Sequence, residues 1–163
     1  MVEFIVSAGF QIAHLVFAAI WAGSVFYVAL VVLPLARDGT FNSTKPLEVI
    51  SGKLTTISRV SAVVLFVTGG HMAGTRYTIG DNGGADLFAS TNGQLVLVML
   101  ALWLVMAGLV EVGAKRLESG LTGKKLREPA QNALPLFRAA AVVGVVLFVV
   151  AGLITTGLAT RYV

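Results

Sequence analysis

Charged residues divide the chain into long apolar runs. No charge falls between Glu3 and Arg37, between Arg59 and Arg76, between Asp86 and Glu111, or between Arg138 and Arg161. The runs are apolar all round and do not alternate, so they read as helices and not as strands of a barrel. A helix needs about 20 apolar residues to cross the hydrocarbon layer. The pattern predicts four transmembrane helices, at about 5–34, 57–79, 93–114 and 139–160. Short links between them imply an all-α membrane protein, an up-and-down bundle in one transmembrane domain, since only helices or closed barrels satisfy backbone groups in lipid. Arg59 and Arg76 stand at the ends of the second span, where long side chains snorkel to the interface. The first run carries Glu3 in place of a basic flank and is too long for the core of a cleaved signal peptide. Its length implies tilt. Pro34 marks its terminus or a late kink.

Composition agrees with the pattern. Of 163 residues, 56% are hydrophobic and 12% charged, against about 25% charged in soluble domains. A soluble chain of this size could not bury so much apolar surface in one core. The absence of cysteine excludes disulfides, thiolate metal sites, iron–sulfur clusters and a cysteine nucleophile.

The few charges are sorted. Arg37, Lys45, Lys53 and Arg59 belong to the first link, and Lys115, Arg116, Lys124, Lys125, Arg127 and Arg138 to the third, which makes ten of the twelve basic residues. Only Arg76 and Arg161 fall on the other side, beside Glu3, Asp81 and Asp86. The excess of lysine and arginine on cytoplasmic loops predicts basic links inside the cell and both termini outside, in a multi-pass protein of the plasma membrane. The same sorting accounts for the net charge of +4 without nucleic acid as a partner. The partner it implies is the lipid bilayer.

The two histidines are the chemistry that remains. His14 is ten residues after Phe4 and His71 eight before Ile79, which is about 15 Å and 12 Å of depth at the helical rise. Both therefore fall in the outer half of the membrane, on adjacent antiparallel spans. An ionisable residue within a span is functional by default. Two imidazoles there suit a copper site completed by the thioethers of Met72 and Met99, with Met106 lying deeper. They equally suit the axial ligation of haem b, with Arg76 paired to a propionate or resting among headgroups. In the plainest reading each ring hydrogen-bonds a nearby carbonyl or hydroxyl.

Other positions surround this pair. Gly69, Gly70, Ala73 and Gly74 flank His71, and Gly70 with Gly74 allows close helix approach or room for a flat macrocycle. Trp21 shares the helix face of His14 and, like Trp103, reads as packing. Arg59 and Glu111 lie at neighbouring cytoplasmic helix ends and predict an ion pair. Thr155 and Thr156 donate either to a histidine or to their own helix backbone.

The first span reads His14, then Trp21-Ala22-Gly23 and Phe26, with Pro34 at its end, and the second reads Arg59 followed by Thr68-Gly69-Gly70. This resembles the CopD (copper resistance D) family of membrane proteins, and is more distantly similar to the HemJ-type protoporphyrinogen oxidases. The resemblance implies a role in copper uptake or tolerance, with His14 as the matched ligand position. The HemJ-type likeness implies haem b and a basic residue in the third span, where this chain has none before Lys115. Three functions follow as expectations: copper handling as a carrier or accessory subunit, a b-type haem protein in electron transfer or haem-linked oxidation, and a structural subunit of a larger membrane complex. Alternating access usually needs two bundles moving against each other, so transport implies a homodimer or a partner membrane subunit.

Overall fold

The computed structural model describes residues 1–79, 85–123 and 126–157. Asp81, Lys124, Lys125 and Arg161, used above for the topology, lie outside the described residues, as do residues 158–160 of the fourth predicted span. Among the described residues, four helical spans are long and apolar enough to cross a membrane. The first runs from Val2 to Asp38 as helix α1 (Val2–Tyr27), a π-helical turn (Val28–Val32) and helix α2 (Leu33–Asp38). The others are α3 (Lys45–Gly74), α4 (Thr91–Leu121) and α5 (Arg127–Thr156). Between α3 and α4, Tyr77–Thr78 (β1) and Ala85–Asp86 (β2) pair in parallel.

The helices are longer than the charge-free runs, chiefly toward the basic links. Helix α3 starts at Lys45 where the apolar pattern starts near 57, and α5 starts at Arg127 where it starts near 139. Hydropathy marks what lies in hydrocarbon, whereas a helix continues for as long as its backbone bonds and one packed face persist. At the other end α3 stops at Gly74, short of Ile79. Pro34 does not end the first span. Its ring crowds the carbonyl four residues back and it has no N–H to donate. The π turn widens the helix just before it, with the Leu33 N–H reaching the Val28 carbonyl, so the chain stays helical to Asp38.

Helix α3 is the central element, packed between α1 and α4. Its buried positions are Leu47, Ser51, Leu54, Ser58, Ser61, Leu65 and Thr68. They alternate at spacings of four and three, the pattern of a coiled-coil seam. Four of the seven are small hydroxyl residues, which let neighbouring helices come close. Helices α4 and α5 form the most extensive pair. There Gly120 lies directly against Pro129, and a Cβ on Gly113 would stand 2.9 Å from the Phe137 ring.

The packed interior sits toward the basic links. In α1 burial begins only at Trp21, in α4 the run of buried residues begins at Met106, and in α5 most lie between Pro129 and Gly144. Toward the other end Ile12, Leu15, Val98, Leu104, Phe148 and Val149 are exposed on the bare protein, and lipid is the solvent that covers them. The α1–α3 seam carries buried and half-buried polar groups from the core into this opener half.

Candidate functional site

Three contacts define the register of α1 on α3. The Trp21 indole N–H donates to Ser58 Oγ at 2.8 Å. About two to three turns further from the packed core, His14 Nδ1 and Thr68 Oγ1 are 2.8 Å apart. A turn beyond that, the ring of Phe10 stacks on His71 with centroids 4.0 Å apart and planes inclined by 21°. His14 and His71 thus occupy the same helix–helix seam, about one turn (5.4 Å) apart in height. Each is half-buried. Antiparallel helices run past each other at a constant register, so these pairings follow from one another once any one is set.

The two rings are held differently. His14 rests against Gly69, where a Cβ would stand 3.1 Å from its Cε1. Its Nδ1 meets Thr68, whose hydroxyl also lies 2.7 Å from the Val64 carbonyl oxygen. No partner at Nε2 is present among the described residues. His71 is held by stacking alone and makes no hydrogen bond through its ring there. The plainest expectation, a ring bonded to a nearby hydroxyl, therefore describes His14 at Nδ1 and leaves three imidazole nitrogens across the two rings without a partner among the described residues.

The remaining candidates divide. On α3 and α4 the register is set by Arg59 with Glu111 and by Phe66 with Trp103. That register brings Met99 level with Gly70, at the height of His71. Met99 and Met72 are both half-buried. Met72 follows His71 directly and so points about 100° around the helix from it. Met106 is 1% exposed in the main core, close to Gly144, and belongs to packing. Arg76 is exposed in the turn after α3. Of the flanking glycines only Gly69 meets a histidine. A Cβ on Gly70 or Gly74 would meet nothing within 4 Å, so the Gly70/Gly74 pair packs against no helix among the described residues. Among the described residues no group of three or more His, Cys, Asp or Glu gathers to hold a metal. Among the described residues a further donor to a site here would be a thioether, a hydroxyl or a backbone group.

The charged and hydroxyl residues anticipated elsewhere find local partners. Arg59 clasps Glu111 with Nη2–Oε1 at 2.7 Å and Nε–Oε2 at 3.3 Å, and Lys115 stands 3.5 Å from the same carboxylate. Thr155 and Thr156 donate to the carbonyls of Ala151 and Gly152 in their own helix, each at 2.8 Å, and not to a histidine. Trp103 packs on Phe66 with centroids 5.6 Å apart. Sequence reasoning missed Thr68 as the partner of His14 and Ser58 as the partner of Trp21. Their signal was the four-three spacing of small hydroxyl residues along α3.

A family model described as Copper resistance protein D (CopD) matches residues 49–158. The chain belongs to the CopD family. It is a copper-resistance-related, multi-pass membrane protein, with four candidate spans among the described residues. The match takes in most of α3 and all of α4 and α5, and so His71, Met72, Arg76 and Met99. His14 precedes the matched segment. No curated protein and no solved structure shows a significant match to the chain.

Proposed function

We propose that this CopD-family chain handles copper in the plasma membrane, through a site built on His14 and His71 in the outer half of the bilayer. The observation that carries this reading is the placement of both histidines on one seam, with His14 tethered through Nδ1 and its Nε2 open. Metal-binding histidines are held in this way, one ring nitrogen bonded to a neighbouring polar group and the other free for the metal. Met72 and Met99, at the height of His71, supply soft thioether sulfur, which with imidazole suits Cu(I). Copper is the cargo in this reading, and a two-histidine site with sulfur donors binds it without enclosing it.

Sorted basic charges support the orientation, with the histidine end outside. A four-helix unit offers no second bundle to rock against, so passage of copper across the membrane requires a homodimer or a partner membrane subunit. Alone, the chain serves as an accessory subunit that captures the ion.

The test is retention of metal by the purified protein. Detergent-solubilised protein exposed to Cu(I) and passed through a desalting column should keep copper, and His14→Ala and His71→Ala should lose it. A red protein with a Soret band lost in the same variants would replace copper with haem b. Retention of neither, with other membrane subunits co-purifying, would leave a structural role.

A further inference from the structure

The contacts of Thr68 bear on which nitrogen of His14 carries the proton. Thr68 Oγ1 lies 2.8 Å from His14 Nδ1 and 2.7 Å from the Val64 carbonyl oxygen, with the Leu65 carbonyl at 3.4 Å. A hydroxyl has one proton, and a carbonyl only accepts. Two arrangements satisfy the pair of contacts. In one, Thr68 O–H donates to Val64 and His14 Nδ1–H donates to Thr68. Both donors then have acceptors, and only the Nε2 lone pair is left over. In the other, the ring proton is on Nε2 and Thr68 turns to donate to Nδ1. The Nε2–H then has no acceptor among the described residues. A donor left unmet in apolar surroundings is costly, so the first arrangement is favoured. Bonding of a threonine hydroxyl to the carbonyl four residues back is also its ordinary habit in a helix.

Gly69 contributes independently. With a Cβ there 3.1 Å from His14 Cε1 and 3.7 Å from Nδ1, the neighbouring ring would have to shift. The missing side chain lets the imidazole lie close against α3 with its Nδ1 edge at Thr68.

We propose that Thr68 is a positioning residue that fixes His14 as its Nδ1–H tautomer, with Gly69 giving the ring its place, so that Nε2 is the atom presented to a soft cation such as Cu(I). The functional consequence rests on the copper reading above, but the tautomer is measurable without metal.

The experiment uses metal-free protein labelled with 15N-histidine, at a pH where the ring is neutral. In a His71→Phe background His14 is the only histidine, and its two ring nitrogens are read by NMR. The protonated nitrogen should be Nδ1. Thr68→Val should move the population toward the Nε2–H form, and Thr68→Ser should restore it. In protein that keeps His71, Thr68→Val should weaken Cu(I), measured by competition with a chelator, by roughly ten- to a hundredfold, with Thr68→Ser close to the parent. Protonation at Nε2 in the parent would overturn the assignment, as would a Thr68→Val spectrum unchanged from it, or a Thr68→Ser variant that behaves like Thr68→Val. If the tautomer follows the hydroxyl but the parent holds no Cu(I), the positioning role stands and the copper reading falls.

Discussion

Trp21 donates its indole N–H to Ser58 across 2.8 Å, and the two side chains are 2% and 6% exposed. This bond ties α1 to α3 at the boundary between the packed core and the opener half that carries the histidines. It therefore holds the register on which His14 and Thr68 meet. Ser58→Ala leaves the indole N–H unmet and should cost about 1 kcal/mol. A denaturant titration in detergent would measure this. A shift in Trp21 emission, read in a Trp103→Phe background, would report the lost bond directly.

The glycines should respond to alanine according to what they face. Gly113→Ala puts a Cβ 2.9 Å from Phe137 in the α4–α5 interface, and overpacking of this kind costs about 1–3 kcal/mol. Gly70→Ala meets nothing within 4 Å and should leave the stability of the monomer unchanged or raise it by up to about 1 kcal/mol, since alanine favours the helix. A destabilised Gly70→Ala monomer would contradict the α3 rotation described above.

Arg59 and Glu111 join α3 to α4 by a two-pronged contact. Arg59→Gln and Glu111→Gln should each destabilise the bundle, with the double variant no worse than either alone. Added salt should weaken the coupling, because the pair is partly exposed. Additive effects in a double-mutant cycle would show that the pair contributes nothing.

His71→Phe separates a ligand from a packing ring. Phenylalanine keeps a ring to stack on Phe10 but has no nitrogen. If His71 binds copper, His71→Phe should fold as the parent does and lose copper as fully as His71→Ala. Copper retention in His71→Phe would reduce His71 to packing.

The cysteine-free chain lends itself to a direct test of topology. Ser43→Cys lies in the first basic link and Ala89→Cys in the loop before α4, and both positions are exposed. In intact cells a membrane-impermeant maleimide should label Ala89→Cys and spare Ser43→Cys. The reverse pattern would invert the orientation.

The four spans, the family resemblance and the Arg59–Glu111 pair were legible because each depends on coarse features: charge-free length, residue type and position at the end of an apolar run. The first halves of α3 and α5 were not, since Lys53, Glu48 and Glu128 interrupt hydropathy without interrupting a helix. The π turn before Pro34 was visible only as a choice between a terminus and a kink. At the histidines, the sequence supported a common depth within about a turn, and the fold places the two rings about one turn apart.

Spacing and composition alone therefore determined that this chain lives in lipid, crosses it four times and carries its only imidazoles near one level. Lipid acts as a solvent, and its demands fall on residue type and run length, both of which can be read along the chain. Only the tertiary structure decided that Thr68 and not Thr155 meets His14, that Gly69 and not Gly70 lies beneath the ring, and that Phe10 covers His71. Those pairings depend on the rotation and register of helices against one another. In an apolar chain they are set by how small side chains interlock along a seam, and hydropathy does not record that.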